Sequence, residues 1–126
     1  MIKLIAADMD GTLLNSNHKI SKENIEAIKV AEEMGVKFAI STGRMYEDVK
    51  PLLDESNLKC QCVVLNGGEY IDENGKVLEG IYIDSKQARE IIDMILKEKI
   101  IAEIYTNDGL YSVNTREEAL TEVAYR

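Results

Sequence analysis

The sequence predicts an α/β fold organised around a parallel sheet, and three observations support that prediction. Short apolar runs alternate with amphipathic stretches in the order strand, helix, strand, helix, strand, which favours parallel strands joined by right-handed crossovers. Each of these three apolar runs ends in a polar or glycine-rich loop. The chain has 126 residues, 45% of them hydrophobic, which is typical of one globular domain with its own core.

The first strand and the first helix follow from the opening residues. Residues 2–7 are apolar except for Lys3, so we expect a strand buried on both faces, as strands of parallel sheets are. Ser21 is the expected N-cap of a helix whose apolar residues recur at helical spacing. Gly35 is expected just beyond the end of that helix, because glycine readily adopts the left-handed conformation found there.

The next three elements complete the alternating pattern. Residues 36–40 predict the second strand, and residues 62–65 predict the third. Between them, residues 46–55 have helical periodicity. Pro51 lies inside this segment, so we expect either a kink or a late start of the helix.

The pattern changes after the third strand. Residues 69–84 predict a hairpin around the turn sequence "DENG". Residues 85–99 predict an amphipathic helix, and residues 100–105 and 110–113 predict a pair of strands. Thr115 is expected to cap one further helix.

Three polar loops should meet at one edge of the predicted sheet. They are "DMDGT" at residues 8–12, "STGR" at residues 41–44 and "NGG" at residues 66–68. Ligands of open α/β sheets bind at the carboxyl ends of the strands, where these three loops lie. The sequence therefore predicts a binding site at this edge.

The two acids of the first loop have the pattern of a phosphoryl-transfer site. A carboxylate such as that of Asp8 can attack phosphorus and form an aspartyl-phosphate. Asp10 is close enough in sequence to serve as general acid and then as general base. A carboxylate that approaches a phosphate dianion is repelled, so the chemistry requires a divalent cation, and Mg²⁺ prefers one or two carboxylates. The hydroxyl of Thr42 and the amide of Gly43 are candidate ligands for phosphoryl oxygens.

The three loops together resemble the motifs of the haloacid dehalogenase superfamily. The stretch "DMDGTLL" resembles its first motif, DxDGTL, and "ISTGR" and "NGG" resemble the Cof-type branch. The resemblance covers the whole chain and implies a Rossmann-like core in residues 1–83, followed by the beginning of an inserted α/β cap in residues 84–126. It also implies that the chain is truncated within the cap domain.

The resemblance implies a Mg²⁺-dependent phosphatase that hydrolyses small phosphorylated metabolites such as sugar phosphates. It implies Asp8 as nucleophile, Asp10 as general acid and base, and both residues as Mg²⁺ ligands, Asp10 through its backbone carbonyl. Thr42 and Gly43 would bind phosphate. Arg44 either binds substrate or ties down its loop through carboxylate pairs. Asn66 is a candidate substrate-binding residue, although a role in shaping its loop is favoured.

Two features of the family's site have no counterpart in the sequence. The family uses a lysine that neutralises the intermediate and a later acidic motif, GDxxND, and neither follows the three loops here. The alternative is therefore a catalytically incomplete domain that serves in binding or assembly. A receiver domain is a third reading, but receivers place the phospho-accepting aspartate after the third strand, where this chain has Asn66.

The net charge and the cysteine content limit which kinds of partner and which cellular compartment are expected. With a formal net charge of −8, nonspecific binding to nucleic acid or to an anionic membrane is not expected. Cys60 and Cys62 are interpreted as core residues rather than a redox pair, which favours a reducing cytoplasm. A sheet cut short would leave an unpaired edge strand, so we also expect that homo-oligomers can form.

Overall fold

The computed structural model describes residues 1–106 and 109–114. The chain divides into two compact units, Met1–Ile81 and Tyr82–Arg126. The division lies two residues before the predicted boundary between core and cap, and the assignment of the units to those roles stays a prediction. The helix predicted to begin at Thr115 lies outside the described residues.

The first unit is built on a five-stranded sheet with two helices. The sheet order is β1-β2-β3-β4-β5; β1 pairs parallel with β2 and β2 with β3, whereas β4 and β5 are antiparallel. The predicted parallel sheet is thus confirmed for its first three strands, and the predicted hairpin extends it into a mixed sheet. In chain order the elements are β1 Leu4–Ala7, α1 Lys22–Glu33, β2 Lys37–Ser41, α2 Tyr46–Ser56, β3 Gln61–Val64, β4 Glu69–Ile71 and β5 Val77–Gly80.

Helix α1 begins and ends at the predicted residues. The Ser21 hydroxyl accepts a hydrogen bond from the backbone N–H of Asn24 at 3.2 Å, which satisfies one of the free donors of the first turn. At the other end Gly35 has φ +79°, and its N–H donates to the carbonyl of Glu32. This conformation strains any residue with a Cβ, so the predicted role of Gly35 is confirmed.

Helix α2 runs through Pro51 without a late start. It begins at Tyr46, five residues before the proline, and continues to Ser56. Proline lacks an amide hydrogen and so costs the helix one backbone hydrogen bond. Val49 and Leu53 lie buried on the inner side of the helix, and this packing stabilises it across the proline.

The core lies between one face of the sheet and the two helices. Strands β2, β3 and β4 contribute alternate residues to this covered face, each at most 7% exposed, namely Phe38, Ile40, Cys62, Val64 and Ile71. Helix α1 contributes Ile28, and α2 contributes Val49 and Leu53. The two cysteines are free and buried in this core, as predicted. The thiol of Cys62, with burial, raises the pKa of the Cys60 thiol and so keeps it protonated.

The expectation that the first strand is buried on both faces is wrong. Leu4 is 57% exposed and Ile5 is 41% exposed. Among the described residues β1 pairs only with β2, so it is an edge strand. The opposite face of the sheet, which we call the open face, carries Leu4, Ala6, Ala39, Val63 and Tyr70, all exposed or half-buried. Neither helix of the first unit packs on it, because α1 and α2 both pack on the covered face.

The turn between β4 and β5 is formed by the "DENG" sequence. The Asp72 carboxylate accepts hydrogen bonds from the N–H groups of Asn74 and Lys76, both at 2.9 Å. Gly75 has φ +85°, which the turn requires. These contacts confirm the predicted hairpin.

The second unit consists of one helix and one hairpin in its described part. Helix α3 spans Ser85–Lys97 and is capped by the Asp84 carboxylate, and β6 Ala102–Thr106 pairs antiparallel with β7 Gly109–Val113. No described residue of this unit is fully buried. Within the described residues, no helix has both the length and the apolar character needed to cross a lipid bilayer.

Candidate active site

The first loop of the site follows β1 and holds both acids. Its backbone turns tightly: the N–H of Leu13 donates to the carbonyl of Asp8 at 3.1 Å, and Gly11 has φ +73°. Leu13 is buried in the core, which anchors the end of the loop. Asp8 and Asp10 are both exposed to solvent. The loop therefore presents two carboxylates at the carboxyl end of the strand, as the sequence predicts.

The second loop follows β2 and begins with a buried polar residue. Thr42 is 6% exposed, and its Oγ1 accepts a hydrogen bond from the N–H of Arg44 at 3.2 Å. The N–H of Thr42 donates to the carbonyl of Val63 on the neighbouring strand. The Thr42 hydroxyl thus lies in a fixed position, and its own hydrogen remains available to donate to a ligand.

The third loop follows β3 and is bonded to the second. The N–H groups of Leu65 and Asn66 donate to the carbonyls of Arg44 and Thr42 at 2.9 and 3.1 Å. Leu65 and Asn66 both have positive φ, +52° and +55°. A leucine in this conformation is uncommon, and sequence reasoning did not anticipate it.

Asn66 also lies against Gly43. A Cβ at Gly43 would lie 3.0 Å from the Asn66 side-chain oxygen, so any larger residue at position 43 would push against it. The asparagine therefore helps to shape the contact between the second and third loops. Its part in substrate binding stays a prediction.

An ion pair joins the first loop to the second. The Arg44 side chain donates from Nε to Oδ2 of Asp10 at 2.8 Å and from Nη2 to Oδ1 at 2.7 Å. This two-point arrangement matches the planar guanidinium to the planar carboxylate. These hydrogen bonds lower the pKa of the Asp10 carboxyl and raise the pKa of Arg44, and exposed His18 adds a small lowering effect on Asp10. Sequence analysis had left open whether Arg44 binds substrate or a carboxylate; the structure shows the carboxylate pair.

Asp8 has a different environment from Asp10. In the part of the chain that the structure describes, its carboxylate has no hydrogen-bond or ion-pair partner. No lysine in the same part forms an ion pair with either acid. The Asp8 carboxylate is therefore open to a metal ion, a substrate or both.

The donor set fits a Mg²⁺ site with few protein ligands. Mg²⁺ commonly takes one or two carboxylates and fills its other positions with water and phosphate oxygens. The unpaired Asp8 carboxylate is such a donor, whereas the Asp10 side chain is held by Arg44, so only its carbonyl oxygen is a second candidate. No group of three or more metal-binding side chains occurs in the described residues.

The structure thus joins most of the predicted site residues through direct contacts. Asp10, Thr42, Gly43, Arg44 and Asn66 are linked by the interactions given above, and Asp8 shares the loop of Asp10. Their catalytic and binding roles stay predictions. Sequence reasoning did not identify Leu65, whose backbone amide holds Arg44, because nothing in its side chain signals this contact.

Comparisons with known proteins identify relatives of this chain. A family model for haloacid dehalogenase-like hydrolases matches residues 5–125. The chain is 34% identical to phosphatase YwpJ of Bacillus subtilis, over 94% of this chain and 42% of that protein. It is 41% identical to the 5-amino-6-(5-phospho-D-ribitylamino)uracil phosphatase YwtE of the same organism, over 88% of this chain and 38% of that protein.

A solved structure supports the same relationship. A haloacid dehalogenase-like hydrolase from Bacillus subtilis superposes with a TM-score of 0.85 at 34% identity, over 97% of this chain and 42% of that one. The chain spans about two fifths of the length of these relatives. Because the family model covers nearly the whole sequence and the three loops occupy the same edge of an α/β sheet, this chain belongs to the haloacid dehalogenase-like hydrolase family.

Proposed function

We propose that this chain carries the nucleophile-bearing part of a Mg²⁺-dependent phosphate monoester hydrolase. The observation that supports it best is the contrast between the two acids of the first loop. Asp8 is exposed and unpaired among the described residues, as a nucleophile must be, whereas Asp10 is held by Arg44 beside the phosphate-binding candidate Thr42.

The proposed reaction has two steps on this chain's own residues. In the first, an oxygen of Asp8 attacks the phosphorus of the monoester, the bond from phosphorus to the alcohol oxygen breaks, and Asp10, in its protonated form and released from Arg44, gives its proton to that oxygen. In the second, a water oxygen attacks the phosphorus of the aspartyl-phosphate and the bond from phosphorus to the Asp8 oxygen breaks, which restores the Asp8 carboxylate. Asp10 takes a proton of the water and so returns to its protonated form, and inorganic phosphate leaves. The Thr42 hydroxyl and the Gly43 amide would donate hydrogen bonds to the phosphoryl oxygens in both steps.

Mg²⁺ would be held by the Asp8 carboxylate and the Asp10 carbonyl oxygen. When bound, it would offset the repulsion between a carboxylate and a phosphate dianion. The remaining ligands would be water and substrate oxygens. The fit of the donor set supports this assignment, since one free carboxylate with one carbonyl is within the range that Mg²⁺ accepts.

The substrate class is a small phosphorylated metabolite. The relatives support this class, because YwtE is named for a phosphorylated ribityl compound and YwpJ for phosphatase activity. Membrane surfaces and nucleic acids are not proposed partners, given the net charge of −8. A cytoplasmic location accords with the two free thiols in the core.

A catalytically incomplete binding domain is the second candidate. It is favoured by the absence of any lysine paired with Asp8 or Asp10 in the described part of the chain. Loss of one such electrostatic contact commonly lowers a rate by about 10²–10³-fold. The exposed edge of β1 supports a further proposal, that copies of this chain associate through that strand.

Hydrolysis of p-nitrophenyl phosphate tests the proposed activity. The 126-residue chain is assayed with and without Mg²⁺, beside Asp8→Asn and the control Asp93→Asn, which removes an equal charge from exposed α3. We expect turnover that requires Mg²⁺, is abolished in Asp8→Asn and is unchanged in Asp93→Asn. A folded chain without turnover would favour the binding domain, whereas turnover that survives Asp8→Asn would refute Asp8 as the nucleophile.

A further inference from the structure

In the Arg44–Asp10 pair, each side chain is bonded through the atoms that it would use to contact a substrate. Both oxygens of Asp10 accept hydrogen bonds from Arg44, at 2.8 and 2.7 Å. The Nε and Nη2 groups of Arg44 that make these bonds form the same edge that would bind two oxygens of a phosphate. In this state, therefore, both oxygens of Asp10 are engaged by Arg44, and the Nε–Nη2 edge of Arg44 is occupied, which leaves only its Nη1–Nη2 edge for another anion.

We propose that the Arg44–Asp10 pair is a closed state that a phosphate group opens. The phosphate takes the two-point edge of Arg44, and the displaced Asp10 side chain becomes free to reach the oxygen of the leaving group. The inference rests on the proposed function for its ligand class, phosphate, but adds a step to it. Phosphate raises the fraction of molecules in which Asp10 is free.

Both side chains of the pair can be reached from solvent. The side chains of Arg44 and Asp10 are 28% and 53% exposed, so the pair lies within reach of an anion from solvent. Exposed ion pairs contribute modest net stability, and although a two-point pair lies at the upper end of that range, solvent access leaves it open to displacement by a competing dianion. A phosphate dianion also carries twice the charge of the Asp10 carboxylate that it replaces.

The two loops are held by bonds that do not involve these side chains. The N–H of Arg44 donates to Thr42 Oγ1, its carbonyl accepts from Leu65, and the carbonyl of Asp8 accepts from Leu13. Only the two side chains need to rotate. Arg44 is thus a positioning residue for Asp10 in the absence of phosphate and a phosphate ligand in its presence.

Asp10 should therefore compete with phosphate for Arg44. The apparent affinity of a ligand falls by the fraction of the protein that is competent to bind it. If Arg44 is free in about one molecule in ten, then Asp10→Asn should tighten phosphate binding about tenfold. The gain should depend on Arg44, because the competition exists only through that residue.

The test is a titration of the 126-residue chain with inorganic phosphate, without Mg²⁺, followed by NMR. The Arg44 Nε–H signal, assigned by its loss in Arg44→Gln, reports directly on the partner of the guanidinium. Dissociation constants are measured for the unmodified chain, Asp10→Asn and the matched control Asp8→Asn. The same substitutions are then measured in the Arg44→Gln background, with the fold checked by circular dichroism.

We expect the Arg44 signal to shift with phosphate and Asp10→Asn to bind about tenfold more tightly. Asp8→Asn relieves repulsion on the phosphate without freeing Arg44, so its gain should be the same with and without Arg44. The gain from Asp10→Asn should fall sharply in the Arg44→Gln background. Arg44→Lys keeps the charge but loses the two-point edge, so it should bind phosphate more weakly than the unmodified chain.

Two outcomes would overturn the proposal. One is an Arg44 signal that phosphate does not shift in the unmodified chain or in Asp10→Asn. The other is an equal gain from Asp10→Asn with and without Arg44, which would mean that only general repulsion is relieved. Neither measurement needs turnover, so a chain that binds phosphate through Arg44 but does not hydrolyse p-nitrophenyl phosphate would refute the proposed function and leave this exchange intact.

Discussion

The two faces of the five-stranded sheet have opposite relations to solvent. On the covered face, Ile40, Cys62 and Val64 are 0% exposed beneath α1 and α2. On the open face, Leu4 is 57% exposed, although it belongs to the same sheet and is equally apolar. The difference comes from what packs on each face and from position in the sheet, since Ile5, on the covered face of edge strand β1, is still 41% exposed. A parallel sheet is normally covered on both faces, so the open face marks a surface that the helices of the first unit leave uncovered.

Strand β1 also differs from the inner strands in how many neighbours it has. The apolar run of β1 resembles a strand with neighbours on every side, yet β1 lies at the edge of the sheet. Periodicity indicates which residues prefer burial, but it does not show whether the partner that buries them is present. The expectation for β1 was wrong for that reason.

Truncating one large aliphatic side chain on each face should lower the free energy of unfolding by very different amounts. Ile40→Ala should lower the free energy of unfolding by about 2–5 kcal/mol, because it leaves a cavity in a packed core. Leu4→Ala should lower it by about 0.5 kcal/mol or less, since the side chain is already in contact with water. Urea denaturation of dilute samples, followed by circular dichroism, measures both values. Similar losses in both variants would show that Leu4 is covered in solution.

Most of the site loops could be predicted from the sequence, because each follows an apolar run that is long enough to identify. The caps Ser21 and Gly35 were also predictable, since capping depends on local geometry. For Arg44 the sequence left two roles open, substrate binding and a carboxylate pair. The contact with Asp10 joins residues 34 positions apart, so no local pattern could select between them. The positive φ of Leu65 had no sequence signal, since tertiary hydrogen bonds impose it.

The two edges of the sheet should differ in self-association. Leu4 on β1 and Leu78 on β5 are 57% and 49% exposed, so they form a matched pair. If copies associate through β1, Leu4→Lys should reduce the dimer seen by sedimentation equilibrium, whereas Leu78→Lys should not. Added salt should favour the dimer, because it screens the net charge of −8 on each copy. A chain that stays monomeric at high salt, or equal effects of the two lysines, would contradict association through β1.

The smallest change in stability is expected for a substitution in the turn between β4 and β5. Hydrogen bonds from the backbone of Lys76 and Asn74 hold the pKa of the Asp72 carboxyl below its ordinary value of 3.8. A lowered pKa in the folded state means that ionised Asp72 adds stability above the unfolded pKa, and that this contribution is lost as the pH falls through the folded pKa. Asp72→Asn keeps a hydrogen-bond acceptor but loses the charge. Its urea midpoint should therefore be slightly lower than that of the unmodified chain at about pH 6, and equal to it at about pH 2. A difference in midpoint that does not change with pH would show that Asp72 stabilises the turn through hydrogen-bond geometry alone and not through its charge.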